Sequence, residues 1–138
     1  MASIREQILS RIVADLGATN VPVYRHRNLP IDRKDSKALV VSIQGDNPTA
    51  RNTVSERVLT VSIEAYAKGA TAWADADALI CAAHRLIMQD PGFGGLASET
   101  TETDTEWESD EADLLYVALP AGYLIRYRTS VDDLEIRA

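Results

Sequence analysis

The sequence predicts an α+β domain: a mostly antiparallel or mixed sheet of about five strands with two helices packed on one face, in the order α-β-β-β-α-β-β. Three observations carry this. Two stretches show apolar residues at helical spacing. Four or more shorter stretches alternate apolar and polar residues or are rich in β-branched ones. The helices are separated by strands without the regular βαβ alternation of a parallel sheet. The 138 residues, 46% apolar and 25% charged, suit one domain spanning 1–138, and no internal repeat is visible.

The first helix is expected over residues 4–16. Ser3 and Glu6 have capping-box spacing. Ile4, Ile8, Leu9, Ile12, Val13 and Leu16 share one face, and Gly17 suits a left-handed exit. A short strand follows at Val21–His26, where Pro22 points to a start or an edge. Residues 27–37 read as an exposed basic loop, and Ala38–Ile43 as a buried strand. Gly45-Asp46-Asn47-Pro48 carries turn chemistry, with 49–55 a loose connection.

Residues 56–67 show the clearest alternation: Leu59, Val61, Ile63 and Ala65 against Thr60, Ser62, Glu64 and Tyr66. The second helix spans roughly 71–89, with Thr71 as its cap and Trp73, Ala76, Leu79, Ile80, Ala83, Leu86 and Ile87 as its stripe. It stops at Asp90-Pro91-Gly92. A strand over 101–108 alternates threonines with Glu102, Asp104, Glu106 and Glu108, giving one acidic face. The last strand region, 114–129, is interrupted at Pro120-Ala121-Gly122 by a bulge or turn.

The net charge of −7 comes from one segment. Residues 99–113 hold eight acidic side chains and no basic one, while the stretches on either side are nearly neutral. Phosphate is repelled by such a block, so stable nucleic-acid binding is not expected. No membrane span is expected, since no run of about 18 apolar residues occurs. The N-terminal residues lack signal-peptide character, and the lone Cys81 fits a reducing bacterial cytoplasm.

Chemistry-bearing motifs are sparse. Cys81 and His84 stand i, i+3 on one helix, but a zinc site needs three or four ligands. Gly92-Phe93-Gly94-Gly95 follows a helix and lacks the lysine of a phosphate loop. Asp75 and Asp77 suit the helix dipole better than an acid–base pair. The expectation is no enzyme, no cofactor and no metal. The competing reading from another class is a small cytoplasmic enzyme or ligand-binding domain using Cys81 and His84. Two charged features remain as partner contacts: Arg25, Arg27, Arg33 and Lys34 on the basic side, and Glu102, Asp104, Glu106 and Glu108 on the acidic side.

Several strings, taken in order, resemble the tail terminator proteins of long-tailed bacteriophages, the minor tail protein U type. They are the N-terminal amphipathic helix, Glu56-Arg57-Val58-Leu59-Thr60-Val61-Ser62-Ile63-Glu64-Ala65-Tyr66, and the helix with Asp75-Ala76-Asp77. Asp90-Pro91 with Gly95-Leu96-Ala97, Thr103-Asp104-Thr105-Glu106 and Ile125-Arg126-Tyr127-Arg128-Thr129 complete them. The resemblance covers nearly the whole chain and includes no catalytic signature. It implies a structural protein of the virion tail, made in the host cytoplasm. Its subunits would form a hexameric ring on the finished tail tube, ending polymerisation and offering a surface to the head connector. The implied partners are further copies of the chain, the major tail tube protein and the head–tail connector, with DNA passing through the ring. A neighbouring head–tail completion protein is the alternative within virion assembly.

Overall fold

A computed structural model describes residues 2–25, 36–51, 53–105 and 116–138. Helix α1 (Ile4–Leu16) is followed by β1 (Val23–Arg25), β2 (Lys37–Arg51) and β3 (Val54–Lys68). Helix α2 (Ala72–Gln89), β4 (Glu99–Thr103) and β5 (Tyr116–Ser130) complete the order. The α+β order expected from the sequence is the one observed. The five strands form one mixed sheet in the order β1-β2-β3-β5-β4, with β1 parallel to β2 and every other pair antiparallel. No helix among the described residues is long and apolar enough to cross a membrane.

Both helices bury their stripes on one sheet face. Ile4, Ile8, Leu9, Ile12 and Leu16 of α1 and Leu79, Ala83 and Ile87 of α2 meet Leu39, Val41, Leu59, Val61, Ile63, Ala65, Tyr123 and Ile125. Alternation delivers this face, because register partners share a side of the sheet: Val41↔Ile63 and Leu59↔Ile125 are examples.

Several local expectations need correction. The α1 capping box is half formed: Ser3 Oγ accepts from the Glu6 N–H at 3.2 Å, but the Glu6 carboxylate reaches Arg25 instead. Gly17 is right-handed (φ −57°) and continues into a 3₁₀ turn, Gly17–Thr19. The left-handed residue is Asn20, at φ 60°. Thr71 sits at the α2 N-cap, yet its hydroxyl donates to Asp75 Oδ2 and accepts from no backbone N–H of the first turn. Trp73 is exposed, because Ala72 takes the inward place beside Ala67 and Leu119.

Neither predicted break in the strands exists. β2 runs straight through Gly45–Pro48, and the chain reverses between Arg51 and Val54, which pair. β5 keeps an unbroken register with β3 through Pro120, Ala121 and Gly122. A Cβ at Gly122 would lie 2.8 and 2.9 Å from the methyls of Thr105 and Thr103, so glycine serves a close approach there. Segment 131–138 folds back, its Leu134 carbonyl accepting from the Ile4 N–H at 2.9 Å.

Candidate interaction surface

Of the contact candidates that are described, Arg25 stands at one edge of the sheet and Glu102 with Asp104 at the other. Arg25 ends β1, the edge strand beside β2. Its guanidinium makes a two-pronged bond to Glu6 on α1, at 2.5 and 2.8 Å. That bond holds the Glu6 carboxyl below its ordinary range and pushes Arg25 further up. Both side chains are more than a third exposed, so the pair is a surface one worth well under 1 kcal/mol. Arg27, Arg33 and Lys34 lie outside the described residues.

The other edge is β4. Glu102 projects on the helix side, with its Oε1 3.5 Å from His84 Nδ1. Glu99, on the opposite face, approaches Arg126 at 3.6 Å. Between them Thr100 is buried and donates to the Pro91 carbonyl at 2.7 Å, anchoring the strand to the α2 exit. The strand stops at Thr103, so the exposed Asp104 follows it and is not part of a strand as the alternation predicted. Glu106 and Glu108 lie outside the described residues. Neighbouring residues of β4 alternate between faces, so Glu99 and Glu102 do not line a common stripe.

Cys81 and His84 do not converge. Cys81 is exposed, whereas His84 shares a 2.8 Å hydrogen bond with the Tyr123 hydroxyl, the rings stacking at 5.8 Å. Burial, with the Glu102 charge adding to it, pushes the Tyr123 phenol up to about 12. Among the described residues no three His, Cys, Asp or Glu side chains are grouped to hold a metal ion. An open groove of about 310 Å³ between the helices is lined by Arg11, Asp15, Leu86 and Asp90. Arg11 is bonded there to both carboxylates, at 3.1 and 3.3 Å.

One constellation escaped the sequence reading. Residues opposite β3 advance by two between Ile43 and Gly45, so Gln44 is an inserted bulge. Past it the parity of β2 inverts, and Asp46 enters the helix face opposite Leu59. Its Oδ2 accepts from Tyr127 Oη (2.8 Å), Arg5 (3.0 Å) and Arg57 (3.3 Å), joining β5, α1 and β3. Three buried polar atoms nearby have no protein partner: Asp46 Oδ1, Arg57 Nε and Thr129 Oγ1. Burial, then the bond to Asp46, raises the Tyr127 phenol strongly. A signal was present: Arg57 has the parity of Leu59 and Val61, and a cation on a buried face calls for a buried acid.

No family model matches the chain, and no curated protein matches it.

Proposed function

We propose that the protein is a ring-forming structural subunit that caps a phage tail tube, stops its growth and presents the tail side of the head–tail joint. The strings that resemble tail terminators supply the class. The observation that carries the reading is the placement of Arg25 and of Glu102 with Asp104 at opposite edges of one sheet. A ring of identical subunits needs a heterologous contact, one surface meeting a different surface of the next copy. Opposite charges on opposite edges suit that contact, and they would be wasted in a face-to-self dimer.

The test is assembly. Tube protein polymerised with the purified chain should yield tubes of bounded length carrying a ring at one end, and without it tubes should overgrow. Tubes of equal length with and without the chain would refute the reading. The net charge of −7 also predicts no appreciable duplex-DNA binding at physiological salt.

A further inference from the structure

We propose that copies of this chain join edge to edge, the β4 strand of one pairing antiparallel with residues Ser42–Asn47 of β2 in the next. The proposal deepens the ring reading above and rests on it for the identity of the partner. Its warrant is the register of the sheet.

β1 pairs with β2 only at Leu39, Val40 and Val41. Among the described residues no strand accompanies β2 on that side beyond Val41. Pro48, which has no N–H to offer, closes the run at its far end. Among the described residues the run of β2 with no neighbour on that side is therefore Ser42–Asn47, which counts five levels because Gln44 is the bulge. β4 is also five residues long.

The two runs stand at the same height. Glu99 pairs with Arg126, Arg126 with Val58, and Val58 with Asn47. Thr101 pairs with Leu124, Leu124 with Thr60, and Thr60 with Gly45. Thr103 leads in the same way through Gly122 and Ser62 to Ser42. Copies set side by side with no slide along the strands thus bring the five residues of β4 against the five free levels of β2. The directions agree as well: β4 runs opposite to β5, β5 runs with β2, and the new pair is antiparallel.

Charge supports the same alignment. Asp104 follows Thr103, whose level is that of Ser42, the residue next to Val41, and Val41 is the partner of Arg25. The neighbour's Asp104 then meets the end of β1 at Arg25. Both side chains belong to exposed residues. The bulge disturbs the regular ladder of the edge, which disfavours indiscriminate strand pairing and selects a matched partner.

The experiment uses the full chain with Cys81→Ser, and Gly45→Cys together with Thr101→Cys. Both positions lie on the outer sheet face, and a Cβ at Gly45 meets nothing within 4 Å. Within one chain they are three strand spacings apart, roughly 14 Å, too far for a disulfide. Mild oxidation should give a ladder of dimers and larger species on non-reducing gels, while each single-cysteine variant stops at dimers. Thr49→Cys with Thr101→Cys, four levels off register, should give no ladder. Arg25→Glu should cut the ladder about two- to fivefold, and adding Asp104→Arg should restore it. A folded protein that stays uncrosslinked, or crosslinks equally through Thr49, overturns the proposal. Rings that halt tubes without this crosslink refute the edge contact and leave the tail reading standing. A ladder from a protein with no effect on tube length does the reverse.

Discussion

Replacing Asp46 with alanine should be the most damaging polar substitution in the molecule. Its side chain is 10% exposed and that of Arg57 15%, so removing the carboxylate leaves a guanidinium stranded in a nearly dry site. Breaking a buried pair from one side costs about 3–5 kcal/mol. Arg5, 40% exposed, recovers water and adds little. Tyr127 loses its hydroxyl acceptor, which costs about 1 kcal/mol more. For a domain of this size a kilocalorie is about 3–5 °C in Tm, so a loss of about 4–6 kcal/mol should lower Tm by roughly 12–30 °C. Asp46→Asn keeps one acceptor oxygen and should lose about half as much. The decisive variant is Asp46→Leu with Arg57→Leu and Tyr127→Phe. It removes every stranded group and should recover most of the stability. Thermal and urea unfolding followed by circular dichroism measure all three. An Asp46→Ala protein within 1 kcal/mol of the parent, or a triple variant no better than the single, would refute the reasoning.

Ile125 is fully buried among α1, α2 and Tyr123, and Ile125→Ala should cost about 2–5 kcal/mol in urea unfolding. The Tyr123 phenol, raised to about 12 against an ordinary 10, contributes stability that is complete below pH 10 and lost as pH rises toward 12. Absorbance at 295 nm should show Tyr123→Phe removing a late-titrating phenol, and an early one in its place would contradict the burial argument. Glu6 is depressed below 4.5, so its contribution is present above that value and fades as pH falls through the lowered one. Glu6→Gln should therefore flatten the acid limb of the stability curve, by well under 1 kcal/mol because the pair is half exposed. Assembled rings should weaken with salt, since exposed edge charges are screened over about 8–10 Å; rings unchanged in molar salt would count against a charged contact.

The helices and β3 were legible because their apolar residues repeat at one period over many positions. Two of the errors in strand extent share a cause. Gly45–Pro48 and Pro120–Gly122 carry turn chemistry, yet both prolines sit where the described sheet has no neighbour on one side. β1 stops at the level of Val41 and β4 at the level of Gly122. A proline there forfeits no ladder bond on its open side, so the strand passes through it. Edge position is a property of the whole sheet, and no local window contains it. The partner residues were half legible. Their charges stood in the sequence, but the capture of Arg25 by Glu6 joins β1 to the first turn of α1, nineteen residues apart.

The Gln44 bulge ties the stability of the domain to the shape of its free edge. Were Gln44 paired in the ladder instead of bulged out of it, Gln44 would point outward and Gly45 inward, leaving Asp46 on the solvent side and Arg57 with no acid beside it. With it, the carboxylate turns inward and closes the junction of α1, β3 and β5. The same inserted residue interrupts the ladder in the middle of the five levels that have no neighbour among the described residues. A continuous apolar edge of that length invites any strand, whereas a bulged one bounded by Pro48 accepts few. The buried carboxylate also fixes the bulge in place, because a slip of one residue would expel Asp46 from its three donors. Register at the edge is thereby guarded by a charge in the core. This explains why a polar group with an unpaired oxygen stands where an apolar side chain would pack with less strain.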